Sequence, residues 1–419
     1  MLERLLIGLT FVAIFFFVIE FFTFRALWKV YQAQPWWEAA RKGWWGVHVV
    51  VWTAFLAAFF MWPTWRGTHP VLLKTILGAT FALTIPKFFL VAIQLVDELR
   101  AAGVWTWLKV SGKPTEGAMA RGSFLNVLAQ GVGAAAFLGM GYGITKGKYA
   151  YKVRDIKVSH PNVPEAFDGL RLVQLSDAHL GSFDGTPEPV LAALAKVQSL
   201  EPDAVLFTGD LVNELADEAA PWVEAFAQIT APLGKFSVMG NHDYADYGPF
   251  TDEQRAASID QLKQLQRDMG FTMLDNDHVV WTKDGESMVL AGVENWGKGF
   301  RKSGDLAKAL SNSGADTRFT VLMSHDPTHY ELGIMENRAP VELTLSGHTH
   351  GMQMGIEIPW LGIKWSPSSI SYKRWGGLYL EGSQYLHVNR GFGVLGFPGR
   401  VGMPPEITLL TLVRGEAKA

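Results

Sequence analysis

The second half of the chain contains five short polar clusters whose side chains could bind metal ions. Histidine, aspartate and asparagine recur in them, a mixture that suits borderline divalent ions such as Mn²⁺, Fe²⁺ and Zn²⁺. In chain order the clusters are Ser176-Asp177-Ala178-His179, Thr208-Gly209-Asp210, Gly240-Asn241-His242-Asp243, Ser324-His325-Asp326 and Ser346-Gly347-His348-Thr349-His350. They supply seven potential metal ligands and one further catalytic candidate, His242; the ligands are Asp177, His179, Asp210, Asn241, His325, His348 and His350.

This set of ligands favours phosphoryl transfer at two metal ions. Two ions about 3.5–4 Å apart can clamp the attacking and leaving oxygens, and a bridging hydroxide becomes a nucleophile near neutral pH. Taken alone, His325 is more often a structural histidine than a ligand, and residues 240–243 could form only a turn. Five such clusters in a fixed order are hard to explain as turns. The chain has no cysteine, which excludes thiolate ligands and cysteine nucleophiles.

A short apolar run precedes each polar cluster, and such runs are typical of buried strands. The runs are Leu170–Leu175, Ala204–Phe207, Phe236–Met239, Phe319–Met323 and Val341–Leu345. Helix-like stretches lie between several of them, at Pro189–Leu200, Ala219–Ile229 and Asp252–Met269. This order predicts a layered α/β fold, in which ligands collect at the carboxyl ends of the strands.

The first part of the chain has the composition of a membrane region. Hydrophobic residues make up 48 % of the whole chain and charged residues only 18 %, which indicates one membrane part and one soluble part. Four apolar segments, at about 5–22, 45–62, 71–96 and 124–144, predict about four transmembrane helices. Tryptophans flank several of these segments, as expected at the headgroup layer, although ordinary core tryptophans are the alternative. We place the transmembrane region at 1–147 and the catalytic domain at 148–419.

Lys87 lies deep in the third apolar segment, where a charge is costly and often functional. The alternative is that the helix kinks at Pro86 and the lysine reaches a protected or interfacial position. The sequence leaves both interpretations open.

The loop charges predict the orientation of the chain in a plasma or inner membrane. Loops 23–44 and 97–123 contain four basic residues each, whereas the N-terminus has only Arg4 and loop 63–70 only Arg66. Because basic loops stay cytoplasmic, the catalytic domain is expected on the extracytoplasmic side. Five basic residues after the fourth segment oppose this, namely Lys146, Lys148, Lys152, Arg154 and Lys157. The net charge of −3 does not indicate the basic surface expected of a nucleic-acid-binding protein.

The five clusters together resemble the calcineurin-like metallophosphoesterases. Further stretches resemble the membrane-associated YkuE-like branch, so that the likeness extends over about residues 148–415. These stretches are Leu274-Asp275-Asn276, Ala291-Gly292-Val293-Glu294, and the run from Asn389-Arg390-Gly391 to Pro404-Pro405-Glu406-Ile407. The resemblance implies a four-layer α/β fold, a β-sandwich flanked by helices, with the two-metal site on one edge.

The resemblance also implies a role for each residue. Asp177, His179 and His350 would bind the first metal, and Asn241, His325 and His348 the second. Asp210 would bridge both ions, and a metal-bound hydroxide would attack phosphorus. His242 would stabilise the phosphate or protonate the leaving oxygen, with Asp243 as its orienting partner. Two departures from the branch, Gly351-Met352-Gln353 and Glu294-Asn295, touch no ligand and concern the shape of the pocket.

Four helices exceed what tethering requires, so a lipid or lipid-linked phosphate is the expected substrate. The branch resembles enzymes that act on phospholipids and on nucleotide-diphosphate lipid precursors; the latter are cytoplasmic, which conflicts with an outward-facing domain. Apolar residues after the last cluster predict either a rim that admits an acyl chain or touches the bilayer, or ordinary core plus one loop: Met352, Met354, Trp360, Leu361, Ile363 and Trp365. Arg374, Arg390 and Arg400 are candidates for phosphate contacts or structural arginines.

Two rival functions remain at this point. One is a non-catalytic membrane sensor that retains the metal site, against which the complete ligand set and His242 argue. The other is a transporter or scaffold in which the helices carry the function, and Lys87 is the feature that favours it.

Overall fold

The chain forms two compact units, residues 1–144 and 145–419, in a computed structural model. The structure describes residues 2–113, 122–183, 187–314 and 318–418. In the first helix, the side chains of residues 2–9, 11 and 12 lie outside that description.

Four long helices build the first unit. They are α1 (Leu2–Tyr31), α2 (Trp37–Thr68), α3 (Pro70–Val110) and α4 (Gly122–Thr145). Within the described residues, three stretches are long and apolar enough to cross a membrane, namely Trp37–Trp62, Val71–Val110 and Leu125–Thr145. These contain the second, third and fourth predicted segments. The first predicted segment lies in α1 and partly in side chains outside the described residues.

The helices are longer than the sequence pattern predicted. Residues 97–110, which we expected in a loop, form the last turns of the 41-residue helix α3. At 1.5 Å per residue this helix is about 60 Å long, roughly twice the hydrocarbon core of a bilayer. Glu98 forms ion pairs with Lys29 and, at 3.5 Å, with Arg25. The two predicted basic loops therefore meet at the same end of the helical unit.

Lys87 is buried within this unit and has two polar partners. Its ammonium group contacts the carboxylate of Glu20 and lies 2.6 Å from Nε2 of His48. The Nδ1 of His48 donates to the carbonyl of Trp44 at 2.6 Å, which leaves Nε2 to accept from the lysine. Lys87 therefore occupies a protected site formed by the helix-borne side chains of Glu20 and His48.

Two six-stranded sheets form the second unit. In spatial order, the first sheet contains β1 (Lys152–His160), β14 (Glu406–Arg414), β2 (Arg171–Leu175), β3 (Ala204–Phe207), β4 (Lys235–Ser237) and β5 (Phe271–Met273). The second sheet contains β12 (Gly377–Glu381), β13 (Gln384–Val388), β9 (Leu343–Ser346), β8 (Thr320–Met323), β7 (Glu286–Gly292) and β6 (Asp277–Lys283). A separate hairpin pairs β10 (Ile356–Ile358) with β11 (Ile363–Trp365).

The helices of this unit differ in how well the pattern predicted them. They are α5 (Glu188–Ser199), α6 (Val223–Ala227), α7 (Asp252–Asp268) and α8 (Leu306–Ala309). Helices α5 and α7 agree with prediction within one residue. The predicted helix Ala219–Ile229 is shorter, because a 3₁₀ turn over Ala220–Trp222 precedes α6. Pro221 lies in this turn, where its missing N–H is tolerated.

Alternating side chains along each strand divide the core into layers. Leu172 and Leu206 face the interior of the sandwich together with Leu343 of the other sheet. Their neighbours Val173 and Val205 face the opposite way and pack in the cluster that contains the buried residues of α5 and α7. Because both faces are buried, the strands are continuously apolar rather than alternating. The outer face of the second sheet is covered in the same way, which gives the four predicted layers.

Candidate metal centre

The five polar clusters all lie just beyond the carboxyl ends of strands. Strands β2, β3 and β4 are parallel neighbours in the first sheet, and β8 and β9 are parallel neighbours in the second. Parallel strands deliver the residues at their carboxyl ends to the same edge of a sheet. The strand bounds agree with the predicted apolar runs within two residues. The fold thus brings all seven candidate ligands together.

Asp177, His179 and His350 form the first group of side chains that could hold a metal ion. The Nε2 atoms of the two histidines lie 3.1 Å apart, and Oδ1 of Asp177 lies 3.2 Å from Nε2 of His350. Nδ1 of His179 lies 3.1 Å from the carbonyl oxygen of Val212, which can only accept. His179 therefore carries its proton on Nδ1 and presents a lone pair at Nε2.

Asp210, His325 and His348 form the second group, and Asn241 adds an amide oxygen to it. Nε2 of His325 lies 3.1 Å from Oδ2 of Asp210 and 3.1 Å from Oδ1 of Asn241. Nδ1 of His348 lies 2.8 Å from the same amide oxygen. Nδ1 of His325 lies 2.8 Å from the carbonyl oxygen of Thr208, so Nε2 is the ring nitrogen that faces the other side chains of the group.

Asp210 belongs to the second group and also reaches the first. Its Oδ2 is 3.1 Å from Nε2 of His325 and 3.7 Å from Nε2 of His179. Its Oδ1 accepts a hydrogen bond from the backbone N–H of His242 at 2.8 Å. One carboxylate oxygen thus reaches the histidines of both groups, as a bridging ligand must.

The donor set fits divalent cations. In each group, imidazole nitrogens and carboxylate oxygens lie within 4.8 Å of one another, and Asn241 adds an amide oxygen to the second group. Such an arrangement is repulsive unless positive charge lies between the atoms. Backbone carbonyls also fix the tautomers of His179 and His325, as outer-shell acceptors do for metal-binding histidines.

The electrostatics favour the ligand forms of most of these side chains. Burial, helped by neighbouring His350, lowers the pKa of His179 well below its usual value, and burial lowers that of His348. Burial opposes ionisation of Asp210, but His325 and His242 outweigh it and hold the pKa of this carboxyl well below its usual range. His325 is the exception. Burial lowers its pKa, but the charge of Asp210 outweighs burial and raises the pKa to about 10.

Five of the seven candidate ligands have a left-handed backbone. They are Asp177 (φ 54°), His179 (44°), Asp210 (59°), His348 (71°) and His350 (51°). Each such conformation costs of order 1–3 kcal/mol and persists only where the surroundings enforce it. Gly209 precedes Asp210 at φ 97°, and a Cβ there would lie 2.6 Å from the backbone nitrogen of Gly240. The backbone is strained at these five candidate ligands, and this conformation directs their side chains towards the site.

His242 lies beside both groups without belonging to either. Its Nδ1 donates to the carbonyl of Asn213 at 2.7 Å, and its ring stacks on Tyr247 with centroids 4.4 Å apart. The ring of His179 lies edge-on to it at 5.0 Å. Because Nδ1 is used by the carbonyl, Nε2 is the atom available for proton transfer.

Asp243 does not orient His242, contrary to expectation. Its two carboxylate oxygens accept from four backbone N–H groups, those of Asp210 (2.9 Å), Leu211 (2.8 Å), Val212 (3.3 Å) and Gly240 (2.9 Å). Burial, with the nearby Asp210 charge, raises the pKa of Asp243 to about 7, while these hydrogen bonds oppose the rise. The carboxylate ties together the two loops that carry Asp210 and Asn241, and the carbonyl of Asn213 takes the orienting role.

The structure adds contacts that the sequence analysis missed. Nε2 of His348 lies 2.7 Å from the hydroxyl of Tyr372 and 3.6 Å from Oδ2 of Asp326. The hydroxyl of Tyr247 accepts from the amide of Asn241 at 2.8 Å. Asp326 directly follows a candidate ligand, so its position in the cluster was a usable signal. The tyrosines lie outside the clusters and gave none.

The three arginine candidates are structural. Arg374 pairs with two glutamates. Arg390 pairs with Glu406 at 2.7 Å and Glu357 at 2.5 Å. Arg400 is buried and donates to backbone carbonyls. Their terminal guanidinium nitrogens are therefore used within the fold, and none of the three arginines is assigned to the phosphate.

Comparisons with known proteins cover both units. A family model described as the transmembrane domain of probable calcineurin-like phosphoesterases matches residues 3–148, and one described as calcineurin-like phosphoesterase matches residues 170–352. The metallophosphoesterase YkuE of Bacillus subtilis is 30 % identical over 70 % of this chain and 98 % of its own.

Two further relatives carry more specific names. A transmembrane protein with metallophosphoesterase domain from Danio rerio is 29 % identical over 72 % of this chain and 65 % of its own. The UDP-2,3-diacylglucosamine pyrophosphatase LpxG of Chlamydia trachomatis is 30 % identical over 59 % of this chain and 86 % of its own.

Proposed function

Since this chain belongs to the calcineurin-like metallophosphoesterase family, we propose that it hydrolyses a phosphate ester or pyrophosphate bond of a lipid-linked substrate. The protein is an integral membrane protein and a metal-dependent phosphoesterase. The observation that carries the proposal is that one chain contains both helices long and apolar enough to cross a membrane and two adjacent groups of acidic and histidine side chains. LpxG, whose name specifies a pyrophosphate joined to a diacylated sugar, supports a substrate of this class.

Each candidate ligand has a place in this proposal. Asp177, His179 and His350 would hold one divalent ion; Asn241, His325 and His348 would hold the other, and Asp210 would be shared. Mn²⁺, Fe²⁺ and Zn²⁺ are the ions that this donor set suits. Bound there, two such ions supply Lewis-acid charge that polarises the phosphoryl oxygens.

His242 is proposed as the proton donor to the leaving oxygen. The carbonyl of Asn213 holds its Nδ1–H at 2.7 Å, and stacking on Tyr247 fixes the plane of the ring. The proton is therefore donated from Nε2, the ring nitrogen that the carbonyl of Asn213 leaves available. Asp243 acts indirectly, because it holds in place the loops on which Asp210 and Asn241 lie.

We place the catalytic unit on the extracytoplasmic side. The ion pairs of Glu98 with Arg25 and Lys29 support this, because they put both basic stretches at one end of the helical unit, the end expected in the cytoplasm. A nucleotide-linked substrate such as that of LpxG favours the opposite side, since nucleotide precursors are cytoplasmic.

The side of the membrane on which the catalytic unit lies can be tested with single cysteines, because the chain has no cysteine of its own. Lys283→Cys at the exposed end of β6 and Gln34→Cys between α1 and α2 would be treated with a membrane-impermeant maleimide in intact cells. We expect labelling at position 283 and not at 34. The reverse pattern would place the catalytic unit in the cytoplasm.

The activity is tested on protein purified in detergent. After removal of metals and addition of Mn²⁺, bis-p-nitrophenyl phosphate is assayed with the intact chain, with Asp210→Ala and with Asp260→Ala, an exposed carboxylate on α7. We expect metal-dependent hydrolysis that Asp210→Ala abolishes and Asp260→Ala retains. A lipid monophosphate, a lipid diphosphate and a nucleotide-diphosphate lipid then define the substrate. A folded, metal-loaded chain that is inactive on all of them would favour the sensor instead.

A further inference from the structure

The hairpin of β10 and β11 has inverted polarity. It follows the last candidate ligand closely, and its cross-strand pairs are Ile356–Trp365, Glu357–Lys364 and Ile358–Ile363. Because side chains alternate along a strand, the two apolar pairs share one face and the charged pair occupies the other. A hairpin on a water-exposed surface normally turns its charged face outward.

The charged pair of this hairpin makes contacts with the body of the catalytic unit, with Glu357 half-buried and Lys364 exposed. The carboxylate of Glu357 accepts from Arg154 at 2.6 Å and from Arg390 at 2.5 Å. The ammonium group of Lys364 contacts the carbonyl of Gly376 and lies 4.8–5.1 Å from the aromatic rings of Tyr379 and Trp375. These contacts hold the ribbon in place with its apolar face outward.

The outward face and the tip are exposed and apolar. Trp360 at the tip is 84 % exposed and Leu361 is 62 % exposed; Ile356, Ile363 and Trp365 are each more than 40 % exposed. Met352 and Ile370, on either side in sequence, are 59 % and 83 % exposed. The expectation of ordinary core is thus wrong for most of this run. A contiguous apolar surface of this kind marks an interaction site.

The segment that follows the hairpin is joined by two hydrogen bonds to the loop that carries His350. The hydroxyl of Ser366, just after β11, donates to the carbonyl of Gly351 at 2.5 Å. The hydroxyl of Ser368 donates to the carbonyl of Thr349 at 3.3 Å. Gly351 and Thr349 flank His350, so whatever holds the hairpin also fixes the position of a candidate ligand.

The partner that fits this surface is the bilayer to which the chain is already anchored. Only six residues separate Thr145, the end of α4, from Lys152, the start of β1. At about 3.5 Å per residue they span roughly 25 Å at most, so the catalytic unit stays close to the lipid headgroups. Two tryptophans among isoleucine and leucine have the composition that enters the headgroup layer.

We propose that residues 356–365, together with Met352 and Ile370, insert into the interfacial layer of the bilayer and present the metal centre to lipid headgroups. The insertion itself depends on the chemistry of this surface and on the membrane anchor. Only its consequence, preferential access of lipid-borne phosphates, rests on the proposed function.

The absence of cysteine from the chain allows a direct test of insertion. Trp360→Cys, and as a matched control Val280→Cys, an exposed apolar position on β6, would carry an environment-sensitive nitrobenzoxadiazole label. The full chain would be reconstituted in vesicles of phosphatidylethanolamine and phosphatidylglycerol with or without brominated acyl chains. We expect a blue-shifted emission that brominated lipid quenches at position 360, and a water-like, unquenched emission at 280.

Two outcomes of this experiment would overturn the proposal. Equal, water-like emission at both positions would show that the hairpin stays in solvent. A shift at 360 that depends on the protein density in the vesicles, and not on the brominated lipid, would assign the surface to a second copy of the chain.

A second experiment separates insertion from catalysis. Burial of a large apolar side chain changes an association constant by at least about tenfold. Trp360→Ser with Leu361→Ser should therefore lower kcat/KM on a vesicle-borne lipid phosphate by about tenfold. Hydrolysis of bis-p-nitrophenyl phosphate should stay unchanged. Equal loss on both substrates would make the hairpin merely structural. If the intact chain cleaves no lipid phosphate, the proposed substrate fails while the quenching result still decides insertion.

Discussion

Replacement of Asp243 by asparagine should loosen the metal centre rather than impair proton transfer. The carboxylate accepts from four backbone N–H groups on two loops. Asparagine keeps one carbonyl oxygen and turns an NH₂ group towards two of these donors. Each buried N–H left without an acceptor costs about 1–3 kcal/mol, so the loss of unfolding free energy is about 2–6 kcal/mol.

This loss can be measured as a thermal shift and as a loss of metal. For a domain of this size, about 2 °C of Tm corresponds to 1 kcal/mol, so Asp243→Asn should lower Tm by at least about 4 °C. Because the loop that carries Asp210 is released, the variant should also retain less Mn²⁺ per chain. His242→Gln should instead keep Tm and metal and lower kcat by about 10²–10⁴.

The double variant tests the argument most sharply. If Asp243 acts by holding the loops, its effect on Tm and metal content should be the same with His242 or with Gln at position 242. If it acts through the imidazole, Asp243→Asn should change kcat alone and have no further effect once His242 is replaced. The second result would refute the role assigned to this carboxylate. Asp260→Asn on α7 serves as the surface control.

Three other predictions rest on single contacts. Gly209→Ala should abolish metal binding, because its Cβ would lie 2.6 Å from the backbone of Gly240; melting curves and metal analysis check this. His387 is buried and its pKa is lowered from 6.5 to about 4 by burial, so the unfolded chain binds a proton more readily. Stability from this residue is therefore full above pH 6.5 and falls by about 3 kcal/mol towards pH 4, a dependence that His387→Gln should remove from unfolding curves. Lys87→Leu should destabilise the helical unit by about 3–5 kcal/mol in detergent melts, because it leaves the buried Glu20 without its lysine partner.

Each of these predictions has a control within the chain. Gly285 has φ 79° in open space, so Gly285→Ala carries the backbone strain without the clash and should bind metal normally. If the stability of the His387→Gln variant still falls as steeply between pH 6.5 and 4, this histidine is not the cause of the pH dependence. Glu20→Leu combined with Lys87→Leu should restore most of the lost stability. If it does not, the lysine stabilises the helices by other means.

The sequence predicted the family, the strand ends and the convergence of the candidate ligands. The convergence was predictable because parallel strands bring the loops at their carboxyl ends to one edge of a sheet. The family and the four-layer fold are confirmed by the matches to both units and by the two sheets. The metal-ligand roles remain predictions, supported by the two groups of side chains.

The contacts that the sequence did not predict depend on backbone atoms or on distant partners. The carbonyl of Asn213 can orient His242 whatever side chain position 213 carries. Arg390 resembled a phosphate ligand because its partners, Glu357 and Glu406, are 33 and 16 residues away in sequence. Helix α3 continues past residue 96 because charged residues and alanine propagate a helix as readily outside a membrane as inside it.

The position of β14 in the first sheet bears on how the protein is made. This late strand lies between β1 and β2, parallel to β1 and antiparallel to β2. The earliest strand of the catalytic unit therefore cannot join its sheet until residues 406–414 have left the ribosome. Until then the nascent catalytic unit lacks the strand that lies between β1 and β2, so the helical anchor enters the membrane ahead of a catalytic unit that is still incomplete.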